Sequence, residues 1–205
     1  EELLLQTDQL SSELKSKNRL LSNLQSAERK LAGKLEQKEK AARQLDRAIE
    51  IIIQAEIAAA GRREEEVPGP AASGGDFVQA RGRLPWPVRG GTIVRHFGIN
   101  RHPTYRNVKT NNNGVDIRTT RPESVKAVFA GKVAGVQFIP GFKNTIIIKH
   151  GSYYTVYSNL ENVYVKNGDN ITAQQEIGQL SKSEPDLHFE VWRGKERLNP
   201  AQWIK

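Results

Sequence analysis

A walk from Leu10 in alternating steps of four and three residues passes through Leu14, Lys17, Leu21, Leu24, Glu28, Leu31, Leu35, Lys38, Ala42, Leu45, Ile49 and Ile52. Ten of these thirteen positions are apolar, and the residues between them are mostly polar or charged. The period is therefore near 3.5, which is the repeat of a left-handed coiled coil. No proline interrupts residues 3–57, and Gly33 is the only glycine there. A helix of this length would run on the order of 80–90 Å. Alone, it has nowhere to bury its stripe. It needs a second copy, another segment of chain or another protein. The charged seam positions Lys17, Glu28 and Lys38 make that pairing loose or specialised. Ile49, Ile51, Ile52, Ile53 and Ile57 are apolar around more than one face. That end is expected to pack against something extra.

Beyond the helix the character changes. Residues 61–75 read GRREEEVPGPAASGG, charged at first and then rich in Pro, Gly, Ala and Ser. This is linker composition. Its Arg-Glu part can extend the helix by a turn or two before Pro68 and Pro70 stop it. From about Phe77 the pattern is strands: Thr92–Val94, Ser124–Phe129, Lys132–Phe138, Asn144–Lys149, Tyr153–Tyr157, Val163–Val165 and His188–Trp192 are short β-branched runs. Turn signals such as Gly90-Gly91 and Asn167-Gly168-Asp169 separate them. The expected fold class is α + β multidomain: a coiled-coil helix over residues 1–60, a linker over 61–80 that is partly helical at most, and an all-β domain over 81–205.

The chain has no cysteine, so disulfides and thiolate metal sites are excluded. It has no apolar run long enough to span a membrane as a helix. The sequence also lacks a signal-peptide start, and it opens in what already reads as helix. A processed or truncated protein is therefore expected. The formal net charge of +8 is uneven. Residues 1–60 hold ten basic and ten acidic residues, residues 61–75 sum to −1, and residues 76–205 carry +9. A basic domain on a neutral helix suggests an anionic partner. No RNP, helix-turn-helix or zinc-finger pattern is present, so nucleic acid is not expected. Cell-wall polymer or an acidic protein surface fits as well.

Three segments of the C-terminal part matter together. The first is His96-Phe97-Gly98-Ile99-Asn100-Arg101-His102-Pro103 followed by Asn112-Asn113-Gly114-Val115-Asp116-Ile117. The second is Tyr154-Thr155-Val156-Tyr157-Ser158-Asn159-Leu160, and the third is Asp186-Leu187-His188-Phe189-Glu190. Between them lie Val125-Lys126-Ala127, Gly131-Lys132-Val133, Ile146-Ile147-Ile148-Lys149-His150-Gly151, Val165-Lys166-Asn167-Gly168-Asp169 and Ile177-Gly178. In this order the set resembles the LytM (lysostaphin-like) zinc peptidases over roughly residues 81–205. The resemblance implies their all-β fold, with its duplicated hybrid motif.

It also implies a groove whose chemistry can be checked residue by residue. In the active family, zinc sits on the His and Asp of H-x-G-x-D and on the second His of H-x-H. Two further histidines assist the attacking water. A catalytic zinc takes three protein ligands and leaves a position for that water. Here the first metal histidine is Asn112, the aspartate survives as Asp116, and the last histidine survives as His188. The assisting histidines are Asn159 and Asp186. An asparagine amide is a poor zinc ligand and cannot carry a proton near neutral pH. The expectation is a degenerate site with no catalytic residues, no metal and no cofactor. Asp116 and His188 can equally be structural, hydrogen-bonded to each other in the groove floor. Glu190 lies on the same strand face as His188 and is carried over as a supporting group. Tyr105, Arg106, Lys109, Arg118, Tyr154 and Tyr157 lie near the motifs and are candidates for a partner-binding groove. His96, His102 and His150 stand outside the family's ligand positions.

A coiled coil joined to a degenerate LytM domain is similar to the EnvC-type murein hydrolase activators. LPWPV, NNNGVDI, VYSNL and LNPAQW carry that likeness. The resemblance implies a non-catalytic activator in daughter-cell separation, exported to the periplasm or cell envelope. Its groove would bind a cell-wall N-acetylmuramoyl-L-alanine amidase, and its coiled coil would dock on an FtsEX-type membrane complex. Two alternatives stay open. One is a zinc endopeptidase with a rebuilt Asp116/Asp186/His188 site. The other is a scaffold that binds peptidoglycan itself.

Overall fold

The computed structural model describes residues 2–60, 74–101 and 109–205. Residues 61–73, most of the expected linker, lie outside the described residues, as do Tyr105 and Arg106. A single helix, α1, runs Glu2–Ala60. The chain divides into two compact units, residues 1–41 and 42–205. The first is the N-terminal two thirds of α1, and most of its described residues are exposed. No helix among the described residues is long and apolar enough to cross a membrane.

The second unit holds the last turns of α1, a short helix α2 (Gly74–Gln79) and the strands. These are β1 (Thr92–Arg95), β2 (Gly98–Arg101), β3 (Lys109–Asn112), β4 (Val115–Arg118), β5 (Ser124–Lys126) and β6 (Gly131–Ile139). They continue with β7 (Lys143–His150), β8 (Tyr153–Val163), β9 (Asn170–Ile171), β10 (Glu176–Leu180), β11 (Asp186–Arg193) and β12 (Glu196–Leu198). Among the described residues the main sheet runs β1-β4-β11-β8-β7-β6-β9, with β12 beside β11 and β10 joining β5 to β8. The ladders are antiparallel, and β2 and β3 form a separate hairpin. The fold is thus the long helix followed by an all-β domain expected from the sequence. β2, β3 and β10 carry too few β-branched residues to stand out by composition, and β4 is only four residues long.

The central strands are buried on both faces, which is why β7 reads as a continuous apolar run, Ile146-Ile147-Ile148. Odd and even side chains serve different cores. One face holds Leu84, Val115, Ile117, Ile146, Ile148, Tyr157, Phe189, Val191 and Trp203, closed by Phe77 of α2. On the other face Ala134, Ile139, Ile147, Tyr154, Val156 and Trp192 pack against Leu45, Ile49 and Ile53 of α1.

Those three helix residues are four apart and almost fully buried. The heptad walk passes from Ile49 to Ile52, whereas burial passes to Ile53. Below Ala42 the stripe therefore turns from a 3.5-residue seam into the wider face of a straight helix lying on a sheet. Ile52 is half-buried and sits over Gly135, where an added Cβ would come within 2.6 Å of its Cδ1. Lys149 bridges to Glu56 at 3.0 Å, and Arg197 reaches Asp46 at 3.3 Å and Glu50 at 3.6 Å. The extra partner of the isoleucine-rich end is this sheet face.

Candidate functional site

The same face carries the motif residues. Strand pairing sets Asp116 of β4 directly opposite His188 of β11, and His188 in turn opposite Ser158 of β8. Residues 186, 188, 190 and 192 alternate onto one side of β11. Gly114 lets the approach to β4 pass close to β11: a Cβ there would meet the Phe189 carbonyl oxygen at 2.3 Å. A larger residue would push Asp116 out of register with His188.

The result is an ionic chain that runs from the partly exposed Arg95 to the buried His188 and Glu190. Arg95 donates from Nη1 to Asp116 Oδ2 at 3.0 Å. Asp116 Oδ1 lies 2.6 Å from His188 Nδ1, and His188 Nε2 lies 2.7 Å from Glu190 Oε1. Trp192 Nε1 donates to Glu190 Oε2 at 2.6 Å. His188 is 3 % exposed and Glu190 is fully buried. Burial works against a charged imidazole. The hydrogen bonds and charges of Asp116 and Glu190 outweigh it and raise the His188 pKa to about 10. Both ring nitrogens then donate, so His188 is an imidazolium at neutral pH. Phe142 closes over the ring at 4.9 Å between centroids.

The other motif positions surround this chain. Asn112 ends β3, is buried, and its Nδ2 has no hydrogen-bond partner among the described residues. Asn159 sits at φ 69°, a left-handed position that asparagine tolerates, and its backbone N–H donates to Phe142 O at 2.7 Å. Asp186 is held by Arg118 through two bonds of 2.8 and 2.7 Å. Lys109 begins β3 and is exposed. Tyr154 is buried under α1, and burial pushes its hydroxyl up to about 12. Strand alternation sends Tyr157 to the opposite face, into the core with Phe189. There burial pushes its hydroxyl up to about 12, and the oxygen accepts from Val128 N–H.

Sequence reasoning missed what covers this face. Asn113 Nδ2 donates to both carboxylate oxygens of Asp46 at 2.8 and 2.9 Å. Burial raises the Asp46 pKa; Arg197 opposes that shift and the nearby Glu190 adds to it. The Arg197 guanidinium also stacks 4.6 Å from the Trp192 ring. Asp46 and Asn113 lie 67 positions apart, and no local pattern links them. Trp192 could have been found, since it is four residues from His188 on one strand and shares its face.

The LytM likeness implies zinc, and the donor set can be tested against it. Two metal-ligand positions remain as donors, Asp116 and His188, and both nitrogens of His188 are engaged by carboxylates. The third position offers an amide, Asn112. Among the described residues no group of three His, Cys, Asp or Glu is arranged to hold a metal. These residues do not fit a three-ligand zinc site.

The β domain behind the helix is that of an M23/LytM-like peptidase fold, and residues 110–200 match the model of Peptidase family M23. Among curated relatives, the Murein hydrolase activator EnvC of Escherichia coli is 27% identical over 135 residues, covering 63% of this chain and 31% of that protein. The Uncharacterized lipoprotein YgeR of the same organism is 28% identical over 124 residues, covering 58% of this chain and 46% of that protein. The chain thus spans under half the length of these relatives. A solved putative M23 peptidase from Pseudomonas aeruginosa shares the fold, with a TM-score of 0.51 at 21% identity over 80% of this chain and 62% of that one. One of these curated relatives is thus named as a murein hydrolase activator and the other as a lipoprotein.

Proposed function

We propose that this chain is a non-catalytic activator of cell-wall amidases in daughter-cell separation, acting at the cell envelope. One observation carries the reading. Asn112, Asn159 and Asp186 occupy positions where the active family has histidines, and His188 is held between Asp116 and Glu190 instead of facing a metal. Neither asparagine can exchange a proton near neutral pH. The similarity to the activator EnvC supports the same reading. Asp116 and Glu190 are then structural partners of His188, while Lys109 and Arg118 border the groove that receives the amidase. The N-terminal part of α1 would dock on an FtsEX-type membrane complex.

The groove face is occupied by α1 from Leu45 to Glu56. An amidase segment that binds there must displace this stretch, so the proposed activator is held off until the helix lifts. A helix laid in a groove through residues four apart is a common recognition mode.

Dye-labelled sacculi should not clear with this protein alone, should clear slowly with a cognate amidase alone, and should clear fast with both. Ile49→Asp should raise that stimulation by loosening α1. Clearing by this protein alone, lost on adding a chelator, would overturn the reading and favour the rebuilt Asp116/Asp186/His188 peptidase. That alternative needs Asp186, which Arg118 holds in a bidentate pair. Retention on sacculi with no effect on any amidase would instead support a wall-binding scaffold.

A further inference from the structure

The loop from Pro85 to Gly91 borders a cavity of about 530 Å³ that shares no residue with the helix-covered face. That volume lies in the range of small-ligand sites. The loop opens Pro85-Trp86-Pro87, and each proline fixes its own φ. It is also pinned at both ends. Leu84 N–H donates to Trp203 O at 3.0 Å, Lys205 N–H donates to Leu84 O at 2.9 Å, and Lys126 N–H donates to Pro87 O at 2.8 Å. Pro87 and Val88 are buried. Trp86 packs against the core, stays half-buried and lines the cavity. A large flat ring is therefore held ready for a ligand, with little left to order on binding.

The rest of the wall is polar. Arg89 comes from the loop, and Glu123, Lys126 and Glu176 come from β5, β10 and their flanks. Lys126 and Glu176 are direct partners across the β5–β10 ladder. Among the described residues neither side chain, nor that of Arg89, has a polar partner. Glu123 is engaged at one oxygen, Oε1, which accepts from Arg121 Nε at 2.7 Å. Four charged groups exclude a purely apolar ligand. The two glutamates disfavour a polyphosphate. What fits is a ring with an apolar face for Trp86, hydroxyls that donate to the glutamates, and a carboxylate for Lys126 and Arg89. A pyranose that carries an acid group has all three.

We propose that this cavity binds peptide-free glycan of the cell wall through its muramic acid units, with Trp86 against the sugar ring and Lys126 and Arg89 on the lactyl carboxylate. The choice of glycan rests on the amidase reading above. In intact wall that carboxyl group is an amide to the stem peptide. Amidase action adds water across the amide, releases the peptide amine and frees the carboxylate. The cavity thus prefers the product of the partner enzyme to its substrate and keeps the activator at strands already stripped.

Calorimetric titration of the full chain without amidase tests this separately from activation. The probes are a bare tetrasaccharide of alternating N-acetylglucosamine and N-acetylmuramic acid, the same tetrasaccharide with its stem peptides, and a tetrasaccharide of N-acetylglucosamine alone. The bare muramyl probe should bind with a Kd below about 1 mM, and the other two at least about tenfold more weakly. Lys126→Gln should weaken the bare probe about tenfold. Trp86→Ala should abolish binding. Trp86 also touches the core, so Trp86→Phe, which keeps a ring, should retain binding within about threefold. Equal binding of the bare and peptide-bearing probes, an unchanged Kd in Lys126→Gln, or no binding of the bare probe would each overturn the proposal. Amidase stimulation without glycan binding would overturn it and leave the activator reading standing. Selective binding of the bare probe without stimulation would support the cavity and remove the amidase reading.

Discussion

Among the described residues the main sheet buries one histidine on each face, and the two faces treat it in opposite ways. His188 is held between Asp116 and Glu190 and is raised to about 10, so it stays charged. His150 lies on the other face, 1 % exposed, stacked on Phe77 at 4.8 Å. Its neighbours are the Ala130 carbonyl at 2.7 Å and the Thr155 hydroxyl at 2.8 Å. Burial lowers it to about 4, only partly offset by the Ala130 carbonyl. Equal burial thus yields a cation on one face and a neutral ring on the other. The difference lies in the partners: two carboxylates can repay desolvation of an imidazolium, and one carbonyl with a hydroxyl cannot.

The contrast breaks most severely at Glu190. Glu190→Ala leaves the imidazolium short of a carboxylate and strips the acceptor from Trp192 Nε1. Urea unfolding should show a loss of about 4 kcal/mol. A loss below about 1 kcal/mol would mean that His188 is neutral in the folded protein. Next is the pH response of the two rings. A depressed histidine destabilises the fold when it must charge. The His150 contribution is therefore complete above pH 6.5 and falls away as pH drops toward 4, about 3 kcal/mol in all. A raised histidine works the other way. The His188 contribution is complete below pH 6.5 and is lost as pH rises toward 10. His150→Gln should flatten the acid arm of a stability–pH curve and His188→Gln the alkaline arm; exchanged effects would refute the assignment.

Smaller changes probe what covers each face. Ile49→Val removes one methyl group from the packing of α1 on the site face and should cost about 1 kcal/mol. Faster hydrogen exchange over residues 45–57, with β7 and β8 unchanged, would place that loss in helix docking. Unchanged exchange there would mean that the helix adds little to the face. Lys149→Ala removes the bridge to Glu56 and should cost about 0.5 kcal/mol, measured by the same exchange and diminished by salt.

Much of this architecture is legible in the sequence because it is periodic. The helix follows from the leucine seam, β6, β7 and β8 follow from β-branched runs beside glycine turns, and β11 follows from its motif. The motif order brings Asp116 and His188 onto neighbouring strands. What stays hidden is non-local. Asp46 reads as one more charge on a solvated helix until the helix lies on the sheet and Asn113 meets it. Arg95 looks like an ordinary strand-end residue, yet β1 pairing aims it at Asp116. The apolar all-round end of α1 signals a partner without saying which surface. Tyr157 looked like a groove residue because it adjoins a motif, and strand parity puts it in the opposite core.

Gly135 adds a constraint on how α1 can move. It leaves a notch in β6 that Ile52 fills. A slide of one helical turn, about 5.4 Å, would bring Ala48 or Glu56 to that notch. Alanine would leave it empty, and glutamate would press a carboxylate into an apolar hole. The notch therefore works as a detent that favours the observed register over a one-turn slide.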